Sequence, residues 1–477
     1  MESLETPVDP SKAKVRLAVY DRASSLRKDG RRPFIHTADV SGRFTTLKRV
    51  VFYVLIAIWA VLPWVHIHGR PAVFLDVPAR RFFLFGGSFD ATSFWLVWFL
   101  LTGVLFSLLL TTTMLGRVWC GYACPQTVFL EGVFRRIERF FEGNRNERIA
   151  RDKAPMSLEK FARRTAKHAT YIVAALLISH MFVAYFVSMP SLLQMMTRSP
   201  AEHPYAFAWC FVVGGILYGN FAWFREQLCL IVCPYGRLQS VLLDDDSLVI
   251  GYDEKRGEPR GKGKPKEGEV RGDCVDCNRC VVVCPTGIDI RNGLQVDCVA
   301  CAQCIDACDE VMDKLKKPRG LIRYDSLRGL RGETRRFWRP RLLFYGIVGV
   351  VLASAATFFL MTRSDVQARM LRLRGMPYVV EGELLRNSYE VHLVNDSDQP
   401  RTFVLEARLV GLDGEVVAGQ GDDAREELEI PAWADRRVTV VARTPREGFQ
   451  TGGLVRATVR VGEEVRELEA PVLGPAR

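Results

Sequence analysis

Thirteen cysteines stand in the chain, and eight of them fall in one window of 35 residues. The first run reads Cys274-Val-Asp-Cys277-Asn-Arg-Cys280-Val-Val-Val-Cys284-Pro285, and the second Cys298-Val-Ala-Cys301-Ala-Gln-Cys304-Ile-Asp-Ala-Cys308. C-x2-C-x2-C-x3-C therefore occurs twice, which is the ligand spacing of paired cubane iron–sulfur clusters. Each cubane needs four thiolates. A tight loop supplies three, and the fourth comes from the other run, because a short loop cannot wrap the far iron. The spacing assigns Cys274, Cys277, Cys280 and Cys308 to one [4Fe–4S] cluster, and Cys298, Cys301, Cys304 and Cys284 to the other. Zinc sites use two C-x2-C pairs and have no need of the C-x3-C arms. Asp309 stands where the first run has a proline.

Four more cysteines form a second pattern. Cys120-x3-Cys124-Pro125 and Cys229-x3-Cys233-Pro234 are 109 residues apart, and each follows a pair of apolar runs. Cysteines four apart lie on one helical face, and the proline favours a break after them. If the repeat is symmetric, the four thiols converge. Soft thiolates suit copper(I) or a further iron–sulfur centre, and a reversible disulfide is a third option. For one pair alone, buried cysteines beside helix-breaking prolines would suffice. Recurrence at matching positions favours a site.

Other polar groups carry less. His180 and Met181 lie inside an apolar run, where a neutral histidine bonded to a neighbouring helix is the simpler reading. His66, His68, His203, Met189, Met195 and Met196 flank apolar runs and read as anchors or packing, with transient copper binding as the alternative. Cys210 reads as core, and Asn220 as a partner for another helix. No P-loop, dinucleotide fingerprint or C-x2-C-H haem motif is present.

These groups need positioning elements. The chain has 477 residues, 48% of them hydrophobic, with a net charge of +11. Basic residues crowd beside apolar runs, which argues for lipid headgroups and against nucleic acid. Apolar runs at 50–65, 94–115, 169–189, 205–224 and 342–362 predict five transmembrane helices. The first four make two repeated hairpins, related by a pseudo-twofold along the membrane normal. The polar first 45 residues lack an apolar h-region, so no cleavable signal peptide is expected. They include the basic pairs Arg27-Lys28 and Arg31-Arg32, which suit a tail near headgroups.

Lysine and arginine crowd into 116–168 and 225–341, which places those segments and the N-terminus inside the cell. Thiolate clusters need that reducing side. The C-terminus then lies outside, although Arg363, Arg369, Arg372 and Arg374 pull locally the other way. Residues 1–49 form a cytoplasmic segment and 50–250 the four-helix membrane domain. Residues 251–272 read as a flexible linker that carries the cluster domain, 273–330, away from the bilayer. Alternating segments at Tyr389–Val394, Thr402–Leu409, Glu426–Ile430, Arg437–Ala442, Leu454–Val461 and Val465–Val472 predict an immunoglobulin-like sandwich over 375–477. The fold class is thus membrane α-helical, with an inserted two-cluster bacterial ferredoxin and a C-terminal all-β domain.

Together these features resemble the CcoG family of cytochrome oxidase accessory proteins, also called FixG or RdxA. The C-x3-C-P hairpins and the ferredoxin insert are shared with a wider group similar to NapH and the membrane part of NosR. The C-terminal sandwich narrows the match. The resemblance implies a bacterial inner-membrane protein that reduces Cu(II) to Cu(I) during assembly of a cbb3-type oxidase. Copper ions, copper-delivery and oxidase-assembly proteins and an unidentified electron donor are then its partners, and a homodimer is compatible. Cys120, Cys124, Cys229 and Cys233 would bind and reduce copper, or hold an additional cluster. Two rivals stand beside this reading. One is a NapH-like quinol-linked electron-transfer subunit, and the other is a redox-sensing assembly factor without turnover.

Overall fold

The structure is a computed structural model describing residues 34–475, except 68, 79, 91–93, 264–269, 363, 365, 398, 420, 422, 448, 450 and 451. His68, Arg363 and the two basic pairs before residue 34 lie outside the described residues. The chain divides into two compact units, residues 1–85 with 89–356, and 86–88 with 357–477.

Five helices in the described residues are long and apolar enough to cross a membrane: Arg43–Trp64, Val97–Leu115, Leu158–Val187, Pro204–Phe224 and Pro340–Met361. The first begins seven residues before its apolar run, and the third eleven residues before, because charged turns continue each helix beyond the span. Asp306 of the cluster domain fixes the start of the first span. Its carboxylate accepts from Thr45 N and Oγ1 at 2.7 Å each and from Phe44 N at 3.3 Å. An acid at a helix N-terminus satisfies donors that have no partner inside the helix.

The third and fourth spans pack along each other. Ser179 Oγ donates to Cys210 O at 2.7 Å, and Gly214 lets Leu176 approach so closely that an added Cβ would lie 2.9 Å from it. The repeat is expressed as an exchange between its halves. Gln126, just after Pro125, accepts from Asn220 of the fourth span at 2.7 Å. Tyr235, the matching residue after Pro234, bonds Thr112 of the second span at 3.1 Å. Each motif thus leans on the span of the other half, as a twofold relation demands.

Two expectations are corrected here. Residues 251–263 and 270–272 are not a tether. Val249–Tyr252 pairs antiparallel with Ile322–Asp325, Arg256 binds Asp273 at 2.5 Å, and Gly261 N donates to Cys274 O at 3.2 Å. These charged and glycine residues are held by cross-chain pairs that composition does not show. The cluster domain is consequently docked on the helical domain, as the Asp306 bonds show, rather than carried away from it. His180 Nδ1 bonds Leu176 O of its own helix at 2.7 Å, not a neighbouring helix.

The second unit contains two antiparallel sheets. One runs Glu415–Ala418, Asp435–Pro445, Leu384–Asn395, Val366–Arg372, with Val379–Glu381 beside Leu384–Asn395. The other runs Arg425–Ile430, Arg401–Val410, Leu454–Val461, Glu464–Pro471. Alternate residues face the core: Leu385, Tyr389, Val391 and Leu393 are fully buried in one sheet, and Phe403, Leu405, Val455 and Ala457 in the other. Tyr389 Oη donates to Pro471 O at 2.8 Å and ties the sheets together. The fold opens at Val366, nine residues before the sequence reading placed it, because that strand lies inside the basic segment after the fifth span.

Candidate metal centres

The eight cysteines of the 274–308 window sit on two similar loops. Asp276, Asn278, Ala300 and Ala302 all have left-handed backbone, with φ of 49°, 57°, 52° and 61°. Each pair occupies the same places relative to its cysteines. Such conformations are costly outside glycine and concentrate where function demands them. In the second loop the backbone N–H groups of Ala300 and Gln303 act on Cys298 and Cys301 and favour their thiolates, as N–H groups turned toward an anionic sulfur would. Asn278 and Ala302 then start the helices Arg279–Val282 and Gln303–Lys314.

The thiols act on one another chiefly within the two expected sets. Burial pushes Cys308 up to about 12, and Cys280, Asp309, Cys274 and Cys277 add to it. Burial likewise raises Cys298 to about 12 and Cys301 to about 11, and Cys284 acts on both. Cys308 thus feels 274, 277 and 280, and Cys284 acts on 298 and 301, the pattern that the spacing predicts. Cys304 is raised by burial first and then by Cys301, Cys298 and Cys284, with Cys280 last. Cys277 is exposed, whereas Cys301 is 7% exposed and feels Lys48 and Glu131 of the helical domain. Coordination by iron would stabilise the thiolates against this burial.

The C-x3-C-P motifs differ from expectation in local form. Cys120 lies in the short helix Val118–Tyr122, but Cys124 is extended, with ψ 126°, and precedes the helix Pro125–Phe129. Cys233 is likewise extended, with ψ 108°, before Pro234–Leu242. Proline excludes the helical conformation from the residue before it. The break therefore falls before the second cysteine of each motif, and the paired thiols do not share one helical face.

The four thiols nevertheless lie within electrostatic reach of one another. Burial pushes Cys229 up to about 12, with Cys124, Cys120 and Cys233 adding and Arg117 opposing. Cys120 is raised to about 11 by burial, with Arg117 opposing and Cys124 and Cys233 adding. Among the described residues, no three His, Cys, Asp or Glu side chains are placed to share a single ion. None of the thirteen cysteines is paired in a disulfide.

A junction joins this quartet to the loop of Cys298 and Cys301. Gly121, between the first two thiols, lies directly on that loop: an added Cβ would stand 2.7 Å from Val299 O and 2.9 Å from Ala300 O. Arg117, 5% exposed, donates through Nη1 to Val296 O and through Nε to Gln239 Oε1 at 3.2 Å. Gln239 Oε1 also accepts from Cys120 Sγ at 3.0 Å, and Gln239 Nε2 donates to Thr112 Oγ1 at 3.3 Å. Sequence reading missed Arg117, Gly121 and Gln239. The glycine inside only one of two repeated motifs was the available signal, since a repeat breaks its symmetry where one copy meets something the other does not.

Below the junction lies a buried ionic network. Arg135 binds Glu131 and, at 3.5 Å, Glu226; Glu138 binds Arg225 at 3.1 Å and Arg148 at 3.3 Å. Burial works against the charge of Glu138, but Arg225 and Arg148 outweigh it and hold the carboxyl below its usual range. The network links π-helical turns at Leu130–Phe134, Asn220–Phe224 and Leu228–Val232. Such turns are uncommon and recur at functional sites. The remaining singled-out residues do not join a centre: His66 Nδ1 bonds Trp64 O at 2.8 Å, Met189 and Cys210 are buried, and Met196 is exposed.

Comparison with known proteins bears on these centres. The chain is 36% identical over 458 residues to the nitrogen fixation protein FixG of Rhizobium meliloti, covering 86% of each. It belongs to the FixG/RdxA family. Protein RdxA of Cereibacter sphaeroides is 36% identical over 420 residues, covering 84% of this chain and 87% of RdxA. Protein RdxB of the same organism is 39% identical over 386 residues, covering 76% and 80%. A 4Fe-4S dicluster domain matches residues 224–327, and a 4Fe-4S binding domain matches 96–145. The latter holds Cys120 and Cys124. The IG-like fold at the C-terminal of FixG matches residues 356–470. This FixG-family chain is accordingly an iron–sulfur redox protein with an immunoglobulin-like C-terminal domain.

Proposed function

We propose that this protein reduces Cu(II) to Cu(I) at the Cys120, Cys124, Cys229 and Cys233 quartet, during assembly of a cbb3-type oxidase. The observation that carries this reading is the direct contact of Gly121 with the Val299–Ala300 loop, which sets the quartet against a cluster loop. Cys274, Cys277, Cys280 and Cys308, and Cys298, Cys301, Cys304 and Cys284, would hold two [4Fe–4S] clusters, which when bound supply electrons singly at low potential. The copper ion is substrate. It takes one electron, and the iron–sulfur module is oxidised by one. Thiolates favour Cu(I) over Cu(II), so binding at the quartet itself draws the reduction forward. Arg117 offsets the charge of the gathered thiolates, and Gln239 orients Cys120. The cluster domain is cytoplasmic in this reading, and the sandwich docks oxidase-assembly or copper-delivery partners outside.

The test is anaerobic mixing of the reduced protein with Cu(II), read by a Cu(I)-specific chelator. Rapid, stoichiometric Cu(I) formation supports the reading, and indifference to Cu(II) sinks it. A second reading is favoured by the iron–sulfur match over 96–145, which holds Cys120 and Cys124: the four thiols hold a third cubane. Iron analysis separates the two, at about eight iron atoms per chain for two cubanes and about twelve for three.

A further inference from the structure

A cavity beside the first span carries more cations than carboxylates in its wall. Lys48, Arg49, Arg135, Arg136, Arg139 and Arg148 line it, against only two carboxylates, Asp39 and Glu131. Those carboxylates are already engaged, Asp39 by Arg139 at 2.5 Å and Glu131 by Arg135 and Lys48. Arg148 is matched by Glu138 outside the cavity wall. Among the described residues, Arg49 and Arg136 have no carboxylate partner. The Nε–H groups of Arg49, Arg135 and Arg148 are buried without an acceptor, and Arg135 and Arg148 are only 7% and 5% exposed. Buried donors of this strength are costly when left unmade. Several guanidiniums with spare N–H donors match the oxygens of a phosphate group.

The setting selects the source of that phosphate. Arg49 and Tyr53 line the cavity on the first span, where Val50, Val54, Ile58 and Val61 form a stripe at least half exposed. These residues repeat every three or four positions and so share one face. That face is turned about half a turn from Thr45, Lys48 and Phe52, which also line the cavity, so what the cavity and the apolar surface share is the N-terminal end of the span, where its apolar run begins. Basic pockets between spans at that depth take anionic headgroups.

We propose that this cavity binds the phosphate of an anionic phospholipid at the N-terminal end of the first span, with the acyl chains in the surrounding bilayer. The site reaches the cluster domain at its inner wall. Lys48 Nζ donates to the Gln303 side-chain oxygen at 2.8 Å once that amide is turned to satisfy both neighbours, and Gln303 lies between Cys301 and Cys304 in the chain. Bound lipid would thus brace the face on which the cluster domain is docked.

The test uses the full-length, iron-loaded protein in nanodiscs of phosphatidylcholine with or without phosphatidylglycerol, followed by detergent extraction and mass analysis of retained lipid. The native protein should retain phosphatidylglycerol in preference to phosphatidylcholine. The double variant Arg49→Gln with Arg136→Gln should lose that retention by about thirtyfold, the size expected for two cations near an anionic headgroup. Arg49→Lys with Arg136→Lys should keep most of it, and an unchanged iron absorbance in each variant reports an intact fold. Equal retention of the two lipids, or native retention in the glutamine variant, would overturn the proposal. So would displacement of the lipid by millimolar inorganic phosphate, which would assign the site to a free anion.

Discussion

Two sulfur-bearing regions of this protein are built in opposite ways. The 274–308 loops carry their geometry locally: left-handed residues at 276, 278, 300 and 302 sit between ligands a few residues apart. The quartet at 120, 124, 229 and 233 has no local template. Its halves meet because each C-x3-C-P motif bonds the opposite repeat, Gln126 to Asn220 and Tyr235 to Thr112. The first kind of site survives wherever its loop folds. The second exists only when the helical domain is assembled, and so depends on distant residues that touch no ligand.

That difference can be broken from the assembled side first. Arg225→Gln leaves Glu138 buried with one cation fewer, and removing one partner of such a pair costs about 3–5 kcal/mol. Thermal unfolding should fall accordingly, and copper reduction should be lost while the visible absorbance of the ferredoxin clusters persists at low temperature. Loss of the cluster signal before the helical domain melts would contradict the separation. Gly121→Val should act on the contact alone. Its side chain would collide with Val299 O and Ala300 O, and a shift of about 1 Å at a reaction centre costs on the order of 100-fold in rate. Stopped-flow Cu(I) formation should drop by that amount with iron content unchanged. The local site yields the smallest effect. Ala302 is fully buried at φ 61°, so Ala302→Gly should stay within about 1 kcal/mol of native stability, while Ala302→Val should cost about 2 kcal/mol. Chelator-induced iron release is the measurement, faster for valine than for glycine.

What the sequence revealed follows the same division. The cluster loops were legible because ligand spacing encodes them. The spans were legible because hydrocarbon demands unbroken apolar runs, and the second was placed at 94–115 against a helix observed at Phe94–Leu115. The sandwich was legible through alternation, as with Leu454–Val461, predicted and observed with the same ends. Three strands of the sandwich escaped. Val366–Arg372 is masked by arginines, and Val379–Glu381 and Glu415–Ala418 are too short to show a period. The docking of the cluster domain also escaped, because Asp306 and Thr45 are 261 residues apart and neither is unusual by itself. The convergence of the quartet was inferred from symmetry. Its junction was not, because Arg117, Gly121 and Gln239 act through tertiary contacts that no spacing announces.

The most direct trial of the account compares the native protein with Cys120→Ser and Cys229→Ser under anaerobic copper titration, with electron paramagnetic resonance of the reduced clusters as control. The account predicts stoichiometric Cu(I) in the native protein and none above background in either variant, with both ferredoxin cluster signals retained. Copper reduction at the native rate in the two serine variants would contradict it.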